Sequence, residues 1–156
     1  GLTLVELLIT IAIFGSIAGA VTLSLLGASK GRNLDFDAQT IVALLRDAQQ
    51  RAVAQDEQHD WGVRFTNDPT NDYVELFHQE PGASPTPLVV SRAGLRPGIE
   101  FSDPPSGTAS IVFGMRSGIP TPELSGTFTV TIRKIGSTEP AEAKNITVKP
   151  HGSISY

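Results

Sequence analysis

The sequence predicts an α+β fold in which one long N-terminal helix packs on a C-terminal antiparallel β-meander or small sandwich. Three observations predict it. Residues 7 to 29 carry no charged side chain. Behind them apolar residues keep recurring at helical spacing, with no proline before Pro69. All 11 prolines then lie between Pro69 and Pro150, among short β-branched runs divided by turn residues.

The first element is the apolar stretch. Leu7 to Leu26 as a helix measures about 30 Å, enough to cross the hydrocarbon core of a bilayer. Thr10, Ser16, Thr22 and Ser24 are tolerable there, because a hydroxyl can bond to the carbonyl one turn earlier. A secretory signal peptide is the rival reading. It calls for a basic start and a shorter apolar region, whereas this start carries an acid, Glu6, and no base. A helix buried in a soluble core is a second alternative.

The helical pattern continues past Lys30, Gly31 and Arg32. Phe36, Ile41, Leu44, Leu45, Ala48, Ala52 and Val53 recur at spacings of three and four, and Asp35, Asp37, Arg46, Asp47 and Arg51 fall largely off that stripe. One helix from Leu2 to Gln55 is therefore expected, on the order of 80 Å long. Gly15, Gly19, Gly27 and Gly31 are its weak points, each costing roughly 1 kcal/mol against alanine. Gly15 and Gly19 also form a GxxxG, which lets two membrane helices approach closely.

From Asp56 the text changes to strands. "WGVRF" (Trp61–Phe65) and "YVELF" (Tyr73–Phe77) read as a hairpin around the turn-rich "TNDPTND". Further strands are expected at Pro87–Ser91, Gly98–Phe101, Ala109–Phe113, Gly126–Lys134, Asn145–Lys149 and Ser153–Tyr156. "QEPGASPTP", "SDPPSG" and "GSTEPAEA" read as exposed loops. The resulting organisation is 1–29 as a hydrophobic helix, 30–56 as its amphipathic continuation and 57–156 as a β-rich head.

Composition excludes several functions. With 156 residues the chain suffices for one such unit, and a net charge of −4 offers no basic field for nucleic acid. Arg92, Arg96, Arg116, Arg133 and Lys134 form no stripe in the sequence. The absence of cysteine removes disulfides, thiolate metal sites and cysteine nucleophiles. His59, His78 and His151 are far apart and lack ligand spacing; His59 beside Asp60 reads as a strand-edge pair. "DPTND" (Asp68–Asp72) offers oxygens for Ca²⁺, but a hairpin loop produces the same letters. "NIT" at Asn145 matches a glycosylation acceptor but falls within a strand. No catalytic, cofactor or metal role is expected.

"GLTLVELLITIAIFG" resembles the processing and methylation signature of type IV pilins and pseudopilins. The resemblance implies a type IV pilin-like fold and cleavage by a prepilin peptidase between Gly1 and Leu2, after a basic leader. It makes Thr3 the threonine of the second mature position and Glu6 the glutamate of the fifth. Leu2 departs from the phenylalanine or methionine common at the first position, and the helix lacks the family's kinking proline. Further along, "IVFGMRSGIP", "GTFTVTI" and "NITVKPHGSISY" resemble the β-region of H-type minor pseudopilins.

Physical chemistry and the resemblance meet at Glu6. An ionised carboxylate in hydrocarbon costs about 2.5–3.5 kcal/mol or more, and a helix N-terminus returns only about 0.3–1 kcal/mol. No Lys or Arg precedes Lys30, so the available cation is an α-amino group, and a helix cannot readily bend its own terminus to Glu6. The amine therefore belongs to a neighbouring subunit, and the resemblance implies the same role for Glu6 in assembly. A glutamate snorkelling to the headgroups is the alternative.

The expectation is a structural subunit that polymerises with copies of itself. Leu7, Leu8, Ile9, Ile11, Ile13, Phe14, Gly15, Ile17, Gly19, Val21, Leu23, Leu25 and Leu26 would pack the filament core. The resemblance implies storage in a bacterial inner membrane, handling by the pilus assembly machinery and export to a surface filament for adhesion or motility. Lys30 and Arg32 alone would orient the helix the opposite way. A major pilin is the leading reading. A minor pseudopilin of a type II secretion or pilus machine, and a membrane-anchored binding module that never polymerises, are the alternatives. Nucleic acid is not an expected partner.

Overall fold

The computed structural model describes residues 3–81, 87–122, 124–138 and 140–156; within these, the side chains of 19–31 and of Ala141 are not described. Gly1 and Leu2, the expected processing site, lie outside the described residues.

Helix α1 spans Leu4–Ala54 without interruption, 51 residues and about 77 Å. The glycines do not end it. Its start is capped by Thr3, and its stop is Gln55 in the left-handed region (φ 58°), whose N–H reaches back to the carbonyls of Arg51 and Ala52. A short turn at Asp56–Gln58 follows, with Glu57 and Gln58 also left-handed, and reverses the chain into the first strand.

Among the described residues eight strands follow, at all of the expected places: β1 (Asp60–Asn67), β2 (Tyr73–Gln79), β3 (Leu88–Gly94), β4 (Ile99–Asp103), β5 (Gly107–Phe113), β6 (Phe128–Lys134), β7 (Ala143–Val148) and β8 (Ile154–Ser155). They do not form one meander. One antiparallel sheet has the order β3-β2-β1-β5 and the other β4-β6-β7-β8. The chain leaves the first sheet after β3, lays β4 in the second and returns to pair β5 with β1, Trp61 opposite Phe113.

Both sheets and the second half of α1 share one core. The helix contributes Leu34, Ala38, Ile41, Leu45, Ala48 and Ala52, spaced alternately by four and three, with Val42 beside them. This corrects the expected stripe. Phe36 and Val53 are about half exposed, at 50 % and 49 %, because Phe36 sits roughly 200° around the helix from both Leu34 and Ala38. Its ring instead lies under the Arg96 guanidinium, 3.6 Å from the centroid. Asp37, expected off the stripe, is buried beside Ile41 and accepts the Arg96 N–H at 3.0 Å. Burial pushes its carboxyl up, and the amide and guanidinium of Arg96 oppose that.

Phe65 on β1 meets Phe101 of β4 and Phe128 of β6, each ring 6.0 Å away. Asn67 donates to the carbonyls of Phe101 and Pro104, and Asp72 accepts the Phe101 N–H at 2.6 Å. The loop read as a possible Ca²⁺ ligand set thus spends Asp72 on joining the sheets, while Asp68 accepts the Thr70 N–H in its own turn.

Two glycine turns seat the sheets on the helix. Gln49 donates from Nε2 to the carbonyls of Gly118 and Gly152, both at 2.9 Å. Both glycines have positive φ, and a Cβ on either would stand 2.6 Å from a helix side chain, Val53 or Gln49.

Candidate functional site

The first turn of α1 is built by Thr3 and Glu6. The Thr3 hydroxyl accepts the Glu6 N–H at 3.3 Å, and the Thr3 carbonyl accepts the Leu7 N–H at 3.2 Å. Threonine at the cap with glutamate three residues on is a capping-box pattern, of which the threonine-to-amide half is made here. The Glu6 carboxylate has no ion pair among the described residues. Downstream, Thr10 and Ser16 donate to the carbonyls of Glu6 and Ala12 at 2.6 and 2.8 Å, hiding their hydroxyls in the helix backbone.

The large apolar side chains from Leu4 to Ile17 stand in solvent. Leu4, Val5, Leu7, Leu8, Ile9, Ile11, Ile13, Phe14 and Ile17 are between 55 % and 76 % exposed. They lie on every side of the helix, so no single partner face is defined. Gly15 opens a notch in this surface, with nothing within 4 Å of an added Cβ. The side chains of Gly19, Val21, Leu23, Leu25 and Leu26, expected in the same surface, are not described. Among the described residues no helix is long and apolar enough to cross a membrane; the expected span runs on into 19–31.

An open cleft of about 480 Å³ lies in the head between the Asn67–Asp72 loop, Leu95–Phe101 and Arg133. Its charges are committed internally. Arg133 meets Glu100 at 2.7 Å, Arg96 meets Asp37 at 3.6 Å and Asp72 is held by amides. The other cations considered for nucleic acid are also engaged. Arg92 pairs with the buried Glu75 and lies over Tyr73, Lys134 meets Glu142 at 2.7 Å, and Arg116 donates to Gln55 at 3.2 Å. The bond to Glu75 raises the affinity of Arg92 for its proton.

His59 and Asp60 stand at the start of β1, as a strand-edge pair, and Asp60 accepts the Met115 N–H at 2.8 Å. His59 and His78, far apart in the sequence, are brought together, their ring centroids 4.6 Å apart. The hairpin register is the signal that finds them. Trp61 pairs with His78, which leaves His59 a diagonal neighbour across the two strands.

A helix whose Leu4–Ile17 side chains stand in solvent and whose second half seats two antiparallel sheets decides the fold comparison. Over 80 % of this chain and 87 % of the other, the structure matches the type IV minor pilin FimU of Pseudomonas aeruginosa, with TM-score 0.57 and 17 % identity. The chain has a type IV pilin-like fold. A second crystal form of FimU matches with TM-score 0.55 and 16 % identity over 78 % of this chain and 90 % of that one. The minor pseudopilin EpsH from the type 2 secretion system of Vibrio cholerae matches with TM-score 0.51 and 17 % identity, over 79 % of this chain and 94 % of that one. No family model and no curated protein matches the sequence. Of the two arrangements expected for the head, a meander or a small sandwich, the chain takes the two-sheeted one.

Proposed function

We propose that the chain is a minor subunit of a type IV pilus or type II secretion pseudopilus, incorporated through its N-terminal helix. The observation that carries this is the Leu4–Ile17 stretch of α1, apolar on all sides, exposed, and headed by a glutamate that has no ion pair among the described residues, in a capped first turn. Such a surface requires lipid or other helices around it. Residues 1–29 serve as membrane anchor and then filament core, 30–56 as the stem under the head, and 57–156 as the exposed head. Gly1 and Leu2 flank the processing site. Thr3 orders the first turn, and Glu6 receives the α-amino group of the adjacent subunit. Leu7, Leu8, Ile11, Phe14, Gly15, Ile17, Gly19, Val21 and Leu25 pack against neighbouring helices.

Minor rather than major status is supported by the neighbours of its fold, which are a minor pilin and a minor pseudopilin. Before assembly the helix resides in the inner membrane; afterwards the head faces outward. The test combines Glu6→Ala with immunogold labelling by an antibody against 57–156. The parent is expected at filament tips or sparsely along the filament, and the variant in the membrane only. Continuous decoration by the parent would make it a major pilin. Normal incorporation of Glu6→Ala would sink the role given to the glutamate.

A further inference from the structure

Where helix α1 gives way to β1, three side chains converge that the assembly of the helix does not use. Glu57 lies in the left-handed turn, His59 directly before β1, and His78 near the end of β2. One ligand atom from each falls within 4.8 Å of the others. His78 Nε2 stands 3.5 Å from the Glu57 carboxylate. His78 is buried, and Nδ1 of both His59 and His78 is buried with no hydrogen-bond partner. A nitrogen stripped of water and given no partner is costly, and here two such atoms sit in adjacent rings.

We propose that Glu57, His59 and His78 bind a divalent transition-metal ion of the zinc type. Two imidazoles and a carboxylate make a borderline donor set, which suits Zn²⁺ and its neighbours rather than Ca²⁺ or Mg²⁺, both of which prefer all-oxygen shells. Tetrahedral zinc holds its ligand atoms about 3.3 Å apart, so the three groups must close inward by roughly 1 Å. The part that must move is free to do so. Glu57 is exposed and His59 only partly buried, while His78 is fixed in a strand with Trp61 5.1 Å from its ring. Bound there, the ion ties the turn after the helix to β2, a link absent from the covalent path between them.

Trp61 is the only tryptophan, and its place against His78 makes it a reporter. The full chain, purified in detergent, is titrated with Zn²⁺ by calorimetry and with Ni²⁺ while Trp61 fluorescence is followed. The expected result is one Zn²⁺ per chain, quenching by Ni²⁺, and a higher Tm with Zn²⁺. Glu57→Gln and His59→Ala, both at accessible positions that leave the buried His78 in place, should each weaken binding at least about tenfold and abolish the Tm gain. No saturable binding would overturn the site, and so would affinity unchanged in both variants, since the ion would then be held elsewhere. Loss in only one of the two would overturn the three-ligand assignment.

Discussion

The two halves of helix α1 are both rich in aliphatic residues, yet they meet opposite fates. From Leu4 to Ile17 every large apolar side chain is exposed, whereas Leu34, Ile41, Val42 and Leu45 are buried against the sheets. The difference is arrangement. In the second half, residues alternate by three and four so that one stripe faces the core and the charges other than the buried Asp37 lie off it. In the first half the apolar residues surround the axis, and one small head cannot cover them. Content tells which residues avoid water; periodicity tells whether the chain itself can shelter them.

Substitutions in the two halves should therefore separate cleanly. Leu45→Ala is expected to cost the head about 2–5 kcal/mol, read as a lower midpoint in urea in detergent. Leu8→Ala should leave that midpoint within about 0.5 kcal/mol. Equal losses would show that the first half also supports the head. Gln49→Ala strips two carbonyls of their donor and should cost roughly 1–3 kcal/mol, with faster amide exchange at Gly118 and Gly152. Thr3→Ala should loosen the first turn by about 1 kcal/mol, visible as faster exchange of the Glu6 amide, with the head's Tm unmoved.

Asp37 gives the smallest effect and a sign. Burial raises its carboxyl from the ordinary 3.8, so the native state holds the proton more tightly than the unfolded chain. The stability this contributes is fully present below the ordinary value and is lost as pH rises through the folded one. Asp37→Asn escapes that loss. The variant should match the parent near pH 3 and gain a small advantage in Tm towards neutrality. An advantage independent of pH would refute this account.

Much of the molecule was legible in its sequence, for reasons the residues make plain. Strands announced themselves by β-branched runs between prolines and glycines, which are local signals. Pairing was not local. Nothing in "ASIVF" says that it returns to lie beside β1, because 39 residues lie between Asn67, which ends β1, and its partner Gly107, which begins β5. The helix stripe was misjudged at Phe36 because a large apolar residue was counted without its angle, and a guanidinium shelters it instead. Charge alone places Asp37 in solvent, but its neighbour Arg96 comes from the connection between β3 and β4. Of the proposed assembly site, Thr3 and Glu6 rest on the resemblance of the opening stretch and on a charge placed beside an apolar run, whereas the meeting of His59 and His78 needed a hairpin register that no pattern of single residues supplies.

Gln49 has a mechanical meaning. Tension applied to the free end of α1 loads the seat of the head in shear, along the axis of the helix. An apolar stripe resists separation well but sliding poorly, because one aliphatic contact is readily exchanged for the next. Two short bonds from a single side chain, to turns on different parts of the chain, act as a crosspiece against that slip. The yield point under pulling should sit at this one amide.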